Sequence, residues 1–427
     1  MTEEFLQYLW KFRLLNHELY TRTGETLTIL HPGEQNHNGG PDFINAKIRI
    51  EDTIWAGNVE VHMNEADWFR HGHHLDKTYE NVILHVVYEE YTGNSARLKT
   101  VFPTLVLHGQ YPENIYNLYQ DFLRNRSWIP CEKLLLKYDP FYFDQWSTAL
   151  LIERLENRSA QWGKLLEANK SDWAETLHQS IARSFGLKIN TLPFEFLAKV
   201  LPLKIVLKYK NNLFTLESLV FGQAGMLNKN FSEEYPEALK KEYSFLAGKH
   251  SLTPIDTSLW KFLRLRPPAF PTIRLAQWAS LLQHADLFFS SVLESKKSDD
   301  ITKLFSVGPS DYWNNHFVFD KPSSSIKKFI GTSSIHLLIL NAIAPFIYFY
   351  GDHKGMNDFK EKAIALFESI PGEQNSITEK YHELGLAVDN ALKTQALLQL
   401  KSNYCDRKRC LDCRIGSRLL GNERKRE

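Results

Sequence analysis

After the polar loop that ends at Phe43 the pattern of this chain switches to a period of two, and that period commits the first hundred residues to a sheet-bearing fold. Ala46, Ile48 and Ile50 share one face of the first stretch, with Lys47 and Arg49 on the other. In Ile54 to His62, Val59 and Val61 oppose Asn58, Glu60 and His62. The intervening IEDTI, Ile50 to Ile54, predicts a hairpin turn. Asp67 to Arg70 predicts a short helical turn. NVILHVVYEE is almost continuously apolar and predicts a central strand buried on both faces. Val101 to Leu107 predicts a further strand.

Elsewhere the spacing is helical. Residues 3–17 carry Phe5, Tyr8, Leu9, Phe12 and Leu15 on one face, ahead of the polar loop HPGEQNHNGGPDF, His31 to Phe43. After about Asn114 the helical candidates are Phe143–Glu167, Ser171–Phe185, Pro193–Val200, Ile273–Ser291, Asp358–Ser369 and Ala391–Asn403. At 427 residues the chain asks for more than one core. The expected organisation is α+β: an α/β module over 1–113, then a mainly helical domain over 114–427 ending in a Cys-rich basic tail.

A hydrophobic content of 43% excludes a disordered chain, and a net charge of +1 excludes a global electrostatic footprint for nucleic acid. The N-terminal MTEEFLQYLWKF has acids where a secretory leader has cations, so it reads as an amphipathic helix. The apolar run Ile335 to Tyr350 is interrupted by His336, Asn341 and Pro345 and predicts a buried core helix. The expectation is a cytoplasmic protein without membrane association.

The chemistry concentrates near the hairpin. Asp42 ends the Gly-rich loop and opens the first strand; Glu60 sits on the second, with His62 two positions on and therefore on the same face. Two such carboxylates can jointly hold Mg²⁺ or Mn²⁺, which take oxygen ligands. The competing reading is that Asp42 caps a turn after Gly39-Gly40-Pro41 and Glu60 belongs to a solvated face. His71, His73, His74, Asp76 and His85 make a His-rich neighbourhood that also suits Zn²⁺, Mn²⁺ or Fe²⁺. His85 on a buried strand is equally a hydrogen-bonded core histidine.

The four cysteines are Cys131, alone, and Cys405, Cys410 and Cys413 in YCDRKRCLDCRIG. Four thiolates can ligate zinc or an iron–sulfur cluster; buried unliganded thiols are the alternative. Lys401 to Glu427 holds nine Lys/Arg, among them Arg424, Lys425 and Arg426, against four Asp/Glu, a patch that could follow a phosphate backbone or simply be solvated. Arg264, Arg266 and Arg274 are further phosphate-contact candidates.

GPDF…AGNVEVH resembles the PD-(D/E)XK nuclease superfamily, in which an Asp and a Glu two residues ahead of a Lys bind metal for phosphodiester hydrolysis. The resemblance implies Asp42 and Glu60 as ligands for Mg²⁺ or Mn²⁺. It places His62 where that family has lysine, with Lys47 as a migrated substitute and His85 as a further participant in the same cleft. The split of one cysteine from three resembles the iron–sulfur staple of some of those nucleases, implying a [4Fe–4S] cluster or Zn²⁺ on Cys131, Cys405, Cys410 and Cys413. GPDF, GNVEVH, HGHHLDKTYENVILHVV and the terminal YC…RC…CRIG together resemble domain of unknown function 2851 along essentially the whole chain. The expected function is divergent metal-dependent hydrolysis of DNA or RNA. Its rivals are a catalytically inactive nucleic-acid- or protein-binding module and a His/carboxylate metallohydrolase of another substrate.

Overall fold

Thr2 starts the first helix, α1 (Glu3–Lys11): its side chain accepts the Phe5 N–H, and Glu3 and Glu4 lie in the first turn where the helix dipole favours acids. Phe5, Leu6, Leu9 and Trp10 are fully buried. The apolar spacing predicts a helix to residue 17, but α1 ends at Lys11. Arg13 takes a left-handed φ of 51° and donates from its guanidinium to the Leu30 carbonyl, so the chain turns and buries Leu14 and Leu15 as it heads for the sheet.

In the computed structural model, residues 1–36, 38–91, 102–295 and 297–422 are described, and they fall into two compact units. The sheet of the first unit contains β1 (Leu19–Tyr20), β2 (Thr26–His31), β3 (Glu34–Gln35), β4 (Phe43–Ile50), β5 (Thr53–Asn64), β6 (Val82–Glu89) and β7 (Thr104–Val106). Its order is β1-β2-β4-β5-β6-β7, with β3 paired to β4. β2, β4 and β5 are antiparallel neighbours, whereas β6 and β7 run parallel to β5, so the sheet is mixed. The hairpin turns at Glu51 and Asp52, between Ile50 and Thr53, as the period predicts. Asn45, at φ 57°, bulges β4 between Phe43 and Ala46. Val59 and Val61 bury one face of β5 and Glu60 and His62 bury the other; Val82 to Val87 of β6 is buried throughout. Val101 of the strand expected over 101–107 lies outside the described residues.

The first unit comprises Met1–Trp146, Glu383–Leu386 and Leu400–Glu427. It runs past residue 113, where the sequence pattern places a boundary, because α3 (Glu113–Arg124) supplies core to the sheet module. Tyr119 stacks on Phe5 at 5.1 Å, and Ile115 and Phe122 are buried. The short α4 (Glu132–Leu135) follows, and the chain's end returns to this unit, where the Tyr8 hydroxyl donates to the Ser417 carbonyl at 3.0 Å.

The second unit, Ser147–His382 with Ala387–Gln399, is helical among its described residues apart from a small ribbon, His316–Val318 with Lys321–Pro322. Trp278, Phe221, Trp313 and Phe346 lie in its core. The helix expected over 273–291 is divided by a tight turn at Leu282–His284 into Pro271–Leu281 and Ala285–Glu294. Thr332–Lys354 is the one described helix long and apolar enough to cross a membrane, and 67% of its apolar window is buried. Its wide π-turn at Ile339–Ile343 precedes Pro345, which lacks the N–H that an α-helix would need there.

Candidate metal centre

Asp42 and Glu60 meet where the hairpin opens. The Asp42 N–H donates to Glu60 Oε2 at 3.0 Å, and Asp42 Oδ2 accepts the Val61 N–H at 3.0 Å. Asp42 thus closes the end of β4, taking a main-chain N–H of β5, and it also accepts a hydrogen bond from Gln7 of α1. Glu60 is buried rather than on a solvated face, and Asp42 bonds to it through its backbone N–H.

Glu60 Oε1 faces a different set of atoms. It lies 3.4 Å from His62 Nε2 and 3.3 Å from His73 Nε2, and those two nitrogens are 3.2 Å apart. Ligand bonds of about 2.0–2.1 Å in a tetrahedral site imply ligand–ligand edges of about 3.3–3.4 Å. The three atoms therefore describe one face of such a site. A second grouping overlaps it: one nitrogen each from His62, His71 and His73 lie within 4.8 Å of one another.

Local structure explains the convergence. Period two puts His62 beside Glu60 on the buried face of β5. The turn α2 (Asp67–Arg70) ends at Gly72, whose φ of 78° is a left-handed conformation that reverses the chain and brings His73 back over Glu60. Tyr79 stacks on His73 with ring centroids 4.0 Å apart, and Trp68 packs edge-on against it at 5.4 Å. Behind the site, His62 Nδ1 lies 2.8 Å from His85 Nε2. That contact leaves His62 Nε2 to point at Glu60, the arrangement by which an outer partner orients a ligating imidazole. The other His85 nitrogen, Nδ1, is buried without a hydrogen-bond partner.

Burial dominates the electrostatics of the cluster. Burial, then the neighbouring Asp42, pushes Glu60 up to about 8, and burial also raises Asp42. Burial, then the adjacent imidazoles of His85, His73 and His71, holds His62 down at about 2, so its ring is neutral and can offer a lone pair. Burial depresses His85 to about 3 and lowers His73 as well. Glu3, in the first turn of α1, is raised to about 7 by burial and by Asp42 and Asp67, which makes it a third acid of this cluster.

Of the residues singled out from sequence, Asp42, Glu60, His62, His71, His73 and His85 come together. His85 lies behind His62 rather than in the triangle with Glu60. Lys47 does not join them. It is exposed and pairs with Ala56, four residues and roughly 13 Å of strand from Glu60. His74 is exposed and Asp76 caps a turn through the Thr78 N–H. The sequence names His73 only as one of a His-rich run, since its approach to Glu60 depends on the Gly72 reversal, and it does not single out Glu3. In the second unit Arg264 and Arg266 are exposed, while Arg274 donates to Gln277 and Ser334. In the tail Arg414 and Arg418 lie over the Trp146 and Tyr142 rings; Arg424, Lys425 and Arg426 lie outside the described residues.

The sequence profile of a family described as "Protein of unknown function (DUF2851)" matches residues 3–376. That span holds every residue of the Glu60 cluster and Cys131 but ends before Cys405. No curated protein and no solved structure matches the chain.

Proposed function

This chain belongs to the DUF2851 family of proteins of unknown function, and we propose that it is a metal-dependent hydrolase of phosphodiester bonds, with Glu60, His62 and His73 as the ligand set. The observation that carries the reading is the triangle of Glu60 Oε1, His62 Nε2 and His73 Nε2, with edges of 3.2–3.4 Å. A carboxylate with neutral imidazoles suits Zn²⁺, Mn²⁺ or Fe²⁺ better than Mg²⁺, which prefers oxygen alone. An ion of that kind supplies Lewis-acid polarisation of a phosphoryl oxygen. Asp42 orients Glu60 through its backbone N–H, and His85 orients His62. Trp68 and Tyr79 pack against the His73 ring and fix its position.

Phosphodiester as the substrate class is supported by the hairpin. An acid ahead of one strand and a second acid on the next, within a helix–hairpin–helix–strand order, is the arrangement through which the sequence resembles the PD-(D/E)XK nucleases. DNA or RNA is the proposed substrate. A second reading, an inactive module that binds nucleic acid or protein, is favoured by one observation: no lysine stands at position 62, and Lys47 is too far along the hairpin to replace it.

The deciding experiment is cleavage of labelled single- and double-stranded DNA and RNA with Mn²⁺, Zn²⁺ or Mg²⁺, comparing the native protein with Glu60→Gln. Cleavage with Mn²⁺ or Zn²⁺ that disappears in the folded variant is the expected result. Absence of cleavage with all three ions selects the binding module.

A further inference from the structure

All four cysteines of the chain belong to the first unit, although 131 and 405 are far apart in sequence. Three contacts bring the C-terminal segment to the region that carries Cys131. Cys131 caps α4, which follows α3; the returning C-terminal segment lies on this same region, with the Lys408 ammonium bonded to the Leu123 carbonyl and the Lys401 ammonium over the Trp128 ring at 5.3 Å. On the other side Tyr404 packs edge-on against Trp146 at 5.2 Å. The segment carrying Cys405, Cys410 and Cys413 is thus held on both flanks of Cys131.

The backbone of that segment is shaped for its sulfurs. A wide π-turn, Leu400–Cys405, ends at Cys405, and such turns concentrate at functional positions. The Arg409 N–H returns to the Tyr404 carbonyl at 2.9 Å and the Cys413 N–H to the Arg409 carbonyl at 3.1 Å, which folds the two spacers into a tight double loop. The C-terminal helix (Arg414–Asn422) begins one residue after Cys413, and the Gly416 N–H donates to Cys413 Sγ at 3.5 Å. Gly416 also lies so close to the Cys410 carbonyl that a Cβ would collide with it. Helix N-terminal N–H groups favour a negatively charged sulfur.

None of the four is in a disulfide; Cys131, Cys410 and Cys413 are buried and Cys405 is half-buried. Burial is the main cause that raises each of the three buried thiols, and neighbouring cysteines add to it: Cys405 and Cys410 act on Cys131, Cys413 and Cys405 on Cys410, Cys405 and Cys131 on Cys413. Every pair among the four thiols is close enough to interact electrostatically, so the sulfurs are neighbours.

We propose that Cys131, Cys405, Cys410 and Cys413 form a four-thiolate metal centre that clasps the C-terminal segment onto α3 and α4. The four thiols lose four protons to solvent as the four metal–sulfur bonds form, with no change of oxidation state. The shared chemistry is tetrathiolate ligation, met either by one zinc ion or by an iron–sulfur cluster. The centre is separate from the Glu60 cluster and stands or falls independently of it.

The test is iron, zinc and acid-labile sulfide content, with visible absorption, of the full chain purified anaerobically. It compares the native protein with Cys131→Ser, Cys405→Ser and Glu60→Gln. A brown protein with iron and sulfide identifies a cluster, and a colourless one with one zinc per chain identifies zinc. Either supports the proposal if both serine variants lose that metal and Glu60→Gln keeps it. If the serine variants fail to fold, an organomercurial titration of the native protein replaces them and must release the metal as thiols are consumed. A native protein with neither metal and four thiols open to modification overturns the proposal, as does metal that survives loss of the thiols.

Discussion

His62 and His85, on neighbouring parallel strands, face each other with Nδ1 and Nε2 2.8 Å apart, although the strand register pairs His85 with Glu60. The first imidazole therefore reaches Glu60 and His73 with its remaining nitrogen, and the second holds it there. Replacing His85 by Phe removes the ring nitrogen that faces His62 and keeps an aromatic ring there. Affinity for Zn²⁺ or Mn²⁺ is expected to fall by roughly 10–100-fold, the range seen when outer partners of metal ligands are lost. His85→Gln, which restores a hydrogen-bonding group, recovers part of that loss. Calorimetric titration of the two variants checks it.

The metal-free protein should lose stability on both sides of neutrality. Glu60 ionises near 4.5 when unfolded but only at about 8 in the fold, so the folded state holds the extra proton between these values. Stability from this group is complete below about 4.5 and is lost as pH rises through about 8. His62 and His85 act in the opposite direction: neutral in the fold down to about 2 and about 3, they take up protons below 6.5 once unfolded. Their contribution is complete above 6.5 and is lost as pH falls. Thermal denaturation against pH should show both slopes. Saturating Zn²⁺ should flatten the alkaline one.

Gly72 holds a φ of 78° just before His73 and has open space where a Cβ would point, so an added methyl meets only backbone strain. Gly72→Ala should cost about 1–2 kcal/mol of stability. Because relief of that strain moves His73, metal affinity should fall as well. A variant that loses stability yet binds metal as the native protein does would remove Gly72 from the account of the site.

Lys47 stands clear of the cluster, so Lys47→Ala should leave hydrolysis within about twofold of native, as for other exposed positions. A large loss of cleavage would restore it as the missing cation.

Much of this site could be read from alternation alone. Parity puts Glu60 and His62 on one face of β5, and the continuous apolar character of β6 predicts that His85 is buried. What pattern does not carry is where a loop returns. His73 reaches Glu60 only through the left-handed turn at Gly72, and Glu3 joins the acids only because α1 packs against β5. Lys47 lies on the strand beside Glu60's, but the register sets it opposite Ala56. The cysteine spacing grouped Cys405, Cys410 and Cys413; the approach of Cys131 depends on the tail folding back beyond the boundary expected at residue 113. Residue 17 was expected to close α1 because Phe12 and Leu15 fit the helical period, yet Leu15 is buried after a turn at Arg13.

The central claim is that imidazole and carboxylate share one divalent ion, and pulsed electron paramagnetic resonance of the Mn²⁺-loaded protein addresses it directly. One bound ion per chain, with nitrogen couplings that weaken in His73→Ala and vanish with His62→Ala, is the predicted result. An ion with oxygen ligands only, or no bound ion at all, would contradict it.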